Sequence, residues 1–179
     1  MERIEFDKLI LMEGNMRRSR AEKLPFSDIK QVGIVVKDIN KAVDYYSSLG
    51  IGPFRTLPSG GVPVYTGKKL RGKEAEFTME IRVAQVGQVE LELIQPLEGE
   101  SIYKEFLEKK GEGIHHLGFL VRDIDEEEAR LTKQGFKALA SGRRPSGGFT
   151  YFETDRVGGV IMELIQRSPG YLPPVIGER

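Results

Sequence analysis

The sequence predicts an α+β fold in which two βαβββ modules together form a cupped, half-barrel-like sheet. An internal repeat supports this prediction. The segments IKQVGIVVKDI (residues 29–39) and IHHLGFLVRDI (residues 114–124) share five identical residues, and the tetrad ELIQ occurs at residues 92–95 and again at 163–166. Because a single repeat of this size cannot bury its own sheet, the two copies are expected to share one hydrophobic core.

Each copy is expected to begin with a strand that leads directly into a helix. Asp38 and Asp123 are the penultimate residues of the two repeated segments and can each cap the helix that follows. Gly50 and Gly135 follow the helical patterns and can each terminate the helix. Two or three strands then lead through the ELIQ tetrad, which gives the order βαβββ in both copies.

The first copy is longer than the second. Gln31 and His116 are 85 residues apart, whereas Glu92 and Glu163 are 71 residues apart, so the first copy contains 14 additional residues. These residues lie between about Gly52 and Phe77, in a stretch rich in Gly, Lys and Pro. The insertion is expected to form a loop or hairpin over one side of the core, either as a plain connection or as a lid that faces a substrate.

The repeat divides the chain into five parts. In order, they are an N-terminal arm (1–24), a first module (25–100), a connecting helix (101–113), a second module (114–168) and a C-terminal tail (169–179).

Composition and charge exclude several classes of function. The 27 basic and 27 acidic residues give a formal net charge of zero, which predicts no interaction with nucleic acid or an anionic membrane. The chain has no cysteine, so disulfides and thiolate chemistry are excluded. We find neither a signal peptide nor an apolar segment of membrane-spanning length, and expect a cytoplasmic protein.

Polar residues at paired repeat positions indicate a metal site. Glu92 and Glu163 lie in otherwise apolar strands, where a buried carboxylate is costly without a partner. A pseudo-twofold axis between the copies would bring Gln31, Glu92, His116 and Glu163 together around a zinc, nickel, cobalt or manganese ion with open positions for water or substrate. Taken singly, each residue has a structural alternative, as a core histidine or as a strand residue that faces solvent.

Strand alternation predicts that His115 and His116 point to opposite faces of one strand. They are the only histidines in the chain, and on this prediction they cannot bind one metal together. An extradiol dioxygenase, which needs two histidines and a carboxylate around iron, is therefore not expected.

In addition, the paired modules resemble the vicinal oxygen chelate superfamily, which includes glyoxalase I, methylmalonyl-CoA epimerase, extradiol dioxygenases and metal-free drug-resistance binders. The resemblance covers about residues 28–167. Within it, residues 92–124 resemble the methylmalonyl-CoA epimerase family, most specifically in FLEKKGEGIHH (106–116). The metal positions of the superfamily fall on the four residues already identified from the repeat.

This resemblance implies a metal-dependent epimerase that acts on a CoA thioester by proton abstraction and a metal-stabilised enolate. Glu163 would serve as a base, with Glu76 as the second carboxylate and Glu80 as an alternative. Arg82 and Arg144 would bind substrate, although Arg82 can instead pair with Glu80 or Glu90. Six basic residues could approach the CoA: Lys68, Lys69, Arg71, Lys73, Arg143 and Arg144. The superfamily also implies a homodimer.

The sequence departs from the epimerase pattern in four places. Gln31 stands where the epimerase usually has histidine, although glutamine is a ligand there in some glyoxalases. Residues 144–148 replace a Gly-Ala-His-Gly turn, and both the insertion and GIGPF (50–54) fit the epimerase poorly. Two alternatives therefore stay open: a glyoxalase I-type lyase or isomerase, and a metal-free protein that binds a small molecule.

Overall fold

The structure is a computed structural model that describes residues 25–57, 60–145 and 147–167. The predicted N-terminal arm and C-terminal tail lie outside the described residues.

Within the described residues, ten strands and three α-helices follow a short 3₁₀ turn at Pro25–Ser27. The strands are β1 (Ile29–Val35), β2 (Arg55–Thr56), β3 (Thr66–Leu70), β4 (Lys73–Glu74), β5 (Met79–Val86), β6 (Val89–Pro96), β7 (Gly113–Leu120), β8 (Ala138–Arg144), β9 (Gly147–Phe152) and β10 (Ile161–Gln166). The helices are α1 (Ile39–Ser48), α2 (Ile102–Lys110) and α3 (Ile124–Lys133).

All ten strands form one sheet in the order β2-β5-β6-β1-β7-β10-β9-β8-β3-β4. The first module contributes β2-β5-β6-β1, the second contributes β7-β10-β9-β8, and the two meet where β1 pairs antiparallel with β7. Each module has its helix between its first two strands, β1-α1-β2 in the first and β7-α3-β8 in the second. The predicted pair of βαβββ modules in an α+β fold is confirmed.

The repeated Asp and Gly residues bound the module helices as predicted. The side chain of Asp38 accepts a hydrogen bond from the Lys41 backbone N–H, and Asp123 accepts from the N–H groups of Asp125 and Glu126. Gly50 (φ 82°) and Gly135 (φ 93°) follow the helices in the left-handed conformation, which glycine adopts more readily than other residues and which commonly ends a helix.

The glutamine of each ELIQ tetrad also has a structural role. Gln95 Oε1 accepts a hydrogen bond of 2.8 Å from the Ile39 N–H, and Gln166 Oε1 accepts one of 3.0 Å from the Ile124 N–H. Both donors belong to the first residue of a module helix, where a backbone N–H has no partner within the helix. The tetrad therefore ties the last strand of each module to the start of that module's helix.

The sheet is curved into a cup, because residues from distant strands share one core. Val83 of β5 and Tyr151 of β9 belong to the same buried cluster although four strands separate β5 from β9 in the sheet. Helix α2 adds Ile102 and Tyr103 to this concave core. Helices α1 and α3 cover the convex face, each over its own module.

The insertion forms a hairpin that joins the two modules. Strands β3 and β4 pair with each other, and β3 also pairs with β8 of the second module. The hairpin therefore extends the far edge of the sheet, while β2, only ten residues earlier, lies on the opposite edge. Just before β3, the ring of Tyr65 packs 4.8 Å from that of Phe149 and so lies over the concave face. The hairpin alternative is confirmed, and a role as a lid stays a prediction.

In the described parts of the chain, no helix combines the length and the apolar composition that crossing a bilayer requires.

The cap of α3 gives a stability prediction. Replacement of Asp123 by Ala leaves two backbone N–H groups without their acceptor, so the free energy of unfolding should fall by about 1 kcal/mol. Urea denaturation measures the change. Asp123→Asn should lose much less, because asparagine caps nearly as well as aspartate. Equal losses in both variants would show that the loss does not come from the capping hydrogen bonds, which asparagine can also accept.

Candidate functional site

Four predicted side chains converge at the centre of the sheet. His116 Nε2 lies 3.1 Å from Glu163 Oε2, 3.4 Å from Glu92 Oε2 and 3.5 Å from Gln31 Oε1. All four residues are buried, with relative exposures between 0 and 8 %. We refer to Gln31, Glu92, His116 and Glu163 as the central cluster.

Strand register explains why these side chains meet. In the parallel β1–β6 pair, Gly33 lies opposite Glu92, and in the parallel β7–β10 pair, Gly118 lies opposite Glu163. The antiparallel β1–β7 pair then places His116 opposite Gly33, and Gln31 opposite Gly118. Because cross-strand neighbours share one face of the sheet, each polar residue of one module points past the glycine of the other.

Gly33 and Gly118 make the central cluster sterically possible. A Cβ atom on Gly33 would lie 1.8 Å from His116 Cε1, and one on Gly118 would lie 2.9 Å from Gln31 Cβ. Neither distance is compatible with van der Waals contact, so any larger residue would displace the opposing side chain. This explains the glycine shared by the two repeated segments.

The prediction that His115 and His116 point to opposite faces is wrong. Gly33 pairs with His116 and Ile34 with Ile114, so His115 is the extra residue of a β-bulge, which interrupts the alternation. The His115 ring packs 5.3 Å from that of Tyr103 in the concave core, and its Nδ1 lies 3.2 Å from His116 Nδ1. His115 thus lies behind His116, away from the carboxylates, and does not join the central cluster.

Burial and charge set the protonation of the central cluster. Burial alone lowers the pKa of His116, but the carboxylates of Glu163 and Glu92 outweigh it and raise that pKa to about 9. Burial raises the pKa of Glu92, against the opposing effect of His116. The pKa of His115 is well below its usual range because of burial and the neighbouring His116. At neutral pH, His116 is therefore an imidazolium and the adjacent His115 is a neutral imidazole.

A buried acid outside the predicted set contacts the central cluster. Glu90, 2 % exposed, accepts a hydrogen bond of 2.8 Å from Gln31 Nε2 and one of 2.6 Å from Arg167 Nη2. Arg55 Nη2 lies 3.6 Å from its other oxygen. The sequence places Glu90 on the face of Glu92, but gives no sign of its two arginine partners, which lie in other strands or beyond them.

The cluster opens into a small cavity of about 60 Å³. Its lining includes Gln31, Glu92 and Glu163, together with Tyr65 and Arg144. The guanidinium of Arg144 lies 5.4 Å from the centre of the Tyr65 ring, and its Nε is buried without a hydrogen-bond partner. Of the two arginines assigned to substrate by resemblance, the structure brings Arg144 to the cavity.

The other predicted site residues lie outside the cavity. The Glu76 side chain is 92 % exposed and pairs with Lys68 at 3.1 Å. Glu80 pairs with Arg82 at 2.5 Å on β5. Val83 of that strand faces the cavity, so its neighbour Arg82 lies on the opposite, convex face together with Glu80. Arg82 therefore forms an ion pair with Glu80, which was the alternative to substrate binding.

Several of the basic residues considered for CoA are held in ion pairs. Arg71 makes two hydrogen bonds of 2.7 Å to Glu105, and Arg143 contacts Asp125 and Glu128. Lys68 contacts Glu76 and is largely buried. Lys69 and Lys73 are exposed near the hairpin turn.

The donor atoms of the central cluster suit a divalent cation, although the described residues contain no group of three His, Asp or Glu side chains already arranged around an ion position. Donors bound at about 2.1 Å to one ion lie about 3.0 to 3.4 Å apart, close to the separations around His116 Nε2. Glu163 Oε2 is buried without a hydrogen-bond partner, so it is near Nε2 but not directed at it. The proton on His116 partly offsets the charge of the two carboxylates, and metal binding at Nε2 would release it.

Solved structures share this fold. The chain matches methylmalonyl-CoA epimerase from Mycobacterium tuberculosis with a TM-score of 0.59 and 24% identity, over 86% of this chain and 95% of that one. It matches the hypothetical protein BH1468 from Bacillus halodurans C-125 (TM-score 0.57, 23% identity, 79% and 95% coverage). It also matches a single-residue variant of Streptomyces coelicolor methylmalonyl-CoA epimerase in complex with 2-nitronate-propionyl-CoA (TM-score 0.57, 22% identity, 79% and 97% coverage).

Sequence comparison gives the family. The uncharacterized protein YqjC of Bacillus subtilis (strain 168) is 32% identical over 98 residues, which cover 51% of this chain and 67% of that protein. The sequence profile of the glyoxalase/bleomycin resistance protein/dioxygenase superfamily matches residues 30–152, well over half of the chain. The predicted resemblance is thus confirmed, and the chain belongs to the glyoxalase/bleomycin resistance protein/dioxygenase superfamily.

Proposed function

We propose that the protein is a divalent-metal-dependent isomerase. It would remove the proton from the carbon next to a carbonyl group and then return a proton to that carbon, with a methylmalonyl-CoA-like thioester as its substrate. The observation that carries the proposal is the central cluster, in which Glu92 and Glu163 share one buried imidazole at His116. The likeness of the fold to methylmalonyl-CoA epimerases adds the substrate class.

The ion would be held by Gln31 Oε1, His116 Nε2 and the carboxylates of Glu92 and Glu163. When bound, a cobalt, zinc, nickel or manganese ion supplies positive charge near the oxygen on which negative charge develops during proton abstraction. The surrounding strands keep this site dry and hold the donors rigidly, since all four residues are buried.

Glu163 is the best candidate for the base. It lines the cavity, and its Oε2, which lies 3.1 Å from His116 Nε2, makes no directed hydrogen bond. Glu76 and Glu80 lie outside the cavity, so the described residues offer neither as a second base on the opposite face. We therefore expect exchange of the substrate α-proton with solvent to be the first detectable reaction.

Arg144 would bind the free carboxylate of the substrate. Its side chain lines the same cavity as Glu163, and its buried Nε has an unused donor. A guanidinium binds a carboxylate through two parallel hydrogen bonds, which would orient the α-carbon towards Glu163.

Two other functions have support of their own. Gln31 Oε1 points towards His116 Nε2, and a glutamine oxygen at this position suits a glyoxalase I-type enzyme that acts on a hemithioacetal. A metal-free binding protein is favoured by the contacts of His116, which already pairs with Glu163 at 3.1 Å and with Glu92 at 3.4 Å. The metal content and the substrate preference separate these three functions.

Metal content is the first prediction. Protein purified without chelators or a polyhistidine tag should contain about one divalent ion per chain, and Glu163→Ala should lose it. Elemental analysis measures both, with Glu76→Ala as a control because that carboxylate is exposed. A wild-type protein that is empty and also refuses added zinc, cobalt and nickel would contradict the enzyme and favour the binding protein.

Proton exchange is the second prediction. The metal-loaded protein should catalyse deuterium uptake from solvent at the α-carbon of methylmalonyl-CoA. Mass spectrometry measures this uptake. Glu163→Gln should slow this uptake by about 100-fold or more, because it removes the base. Glu76→Gln should retain the wild-type rate, in contrast to the role implied by resemblance. Turnover of a hemithioacetal with no exchange on the thioester would instead favour the glyoxalase-type function.

The glycine opposite His116 gives a third prediction. Gly33→Ala should lower the free energy of unfolding by about 1 to 3 kcal/mol and abolish metal binding, because the new Cβ displaces the His116 ring. Denaturation and elemental analysis measure the two effects. Gly113→Ala is the matched control, since its Cβ would lie 3.9 Å from the nearest side chain, that of Phe106. Wild-type metal content in Gly33→Ala would contradict the assigned cluster geometry.

A further inference from the structure

We infer that Glu90 is a positioning residue, which holds the Gln31 amide with its oxygen, rather than its nitrogen, towards the metal position. The inference rests on the proposed metal site and adds a residue to it. Gln31 Nε2 donates to Glu90 Oε1 at 2.8 Å, while Gln31 Oε1 lies 3.5 Å from His116 Nε2. One end of the amide is thus bound to Glu90, and the other end faces the central cluster.

Glutamine needs such a partner in order to act as a ligand. Its terminal amide has an acceptor oxygen and a donor NH₂ group of nearly the same shape, and only the oxygen can bind a cation. A carboxylate accepts hydrogen bonds and donates none, so it can pair only with the NH₂ end. A rotation of the amide by half a turn would place two oxygen atoms in contact at Glu90 and two N–H bonds against the cation.

Glu90 is itself held firmly in place. Arg167 Nη2 donates to the same Oε1 at 2.6 Å, and Arg55 Nη2 lies 3.6 Å from Oε2. Glu90 is 2 % exposed, so these cations act with little screening by water. The chain of contacts runs from the two arginines through Glu90 to Gln31.

The second module supports the inference through a natural comparison. In the parallel pairs, Gln31 lies opposite Glu90, and His116 lies opposite Ile161 at the equivalent position. The amide ligand therefore has an acidic neighbour, whereas the imidazole ligand has an apolar one. His116 is contacted from behind by His115 Nδ1 instead. The two modules thus carry matched pairs, Gln with Glu and His with Ile.

The alternative is that Glu90 only balances the charge of Arg55 and Arg167. Both roles predict that replacing Glu90 harms the protein, so a single variant cannot separate them. The Gln31→His change can, because a histidine at that position would no longer need an acceptor for an amide NH₂ group. A loss of cobalt affinity caused only by the unpaired Arg55 and Arg167 would occur with either residue at position 31.

The test is a double-mutant cycle of Glu90→Ile, Gln31→His and the combined variant. Cobalt affinity is measured by titration calorimetry, the cobalt absorption spectrum reports the ligand set, and thermal unfolding of the metal-free proteins reports stability. Glu90→Ile should weaken cobalt binding about 10- to 100-fold when Gln31 is present. The same change should have a much smaller effect on cobalt affinity in the Gln31→His background.

The outcomes separate the inference from the proposed function. An equal loss of cobalt affinity in the two backgrounds, or no loss in either, would overturn the positioning role while leaving the metal site intact. Failure of both the wild-type protein and Gln31→His to bind cobalt would overturn the metal site, and the positioning role with it.

Discussion

The structure depends on two carboxylates that share one buried imidazole. Glu92 and Glu163 come from different modules, and His116 lies between them at the seam where β1 pairs with β7. Carboxylates buried without a positive partner would disfavour folding strongly. The modules must therefore meet in one register, because a shift of a single residue would move His116 to the other face of the sheet.

Other features of the chain follow from that register. Gly33 and Gly118 must lack side chains so that the polar residue of the opposite module can pass. The ELIQ tetrads place one carboxylate in the centre and, three residues later, one amide at the start of a module helix. A motif that repeats in sequence thus performs two tasks, at the site and at the convex surface, in both halves of the cup.

The sequence was sufficient to predict the parts that strict alternation controls. Glu92 and Glu163 lie in unbroken strands, so a period of two assigned them to the correct face, and the repeat offsets paired them. Alternation failed at His115, because a bulge adds one residue to β7. Arg82 was assigned to the substrate by resemblance, but β5 places its side chain on the convex face. Glu90 was missed as a partner of Gln31, since nothing local indicates that Arg167, 77 residues later, holds it.

The insertion connects the fold to the size of the site. Ligand pockets for small molecules usually measure several hundred Å³, whereas the cavity at the central cluster measures about 60 Å³. Tyr65 and Arg144 bound this cavity, and Tyr65 is attached to the hairpin that pairs with β8 of the second module. On the proposed function, a thioester head group would need more room than this cavity gives, and a movement of Tyr65 or Arg144 would supply it. Since β1, β6, β7 and β10 are fixed by the shared imidazole, we expect the hairpin side of the cup to be the part that selects the substrate.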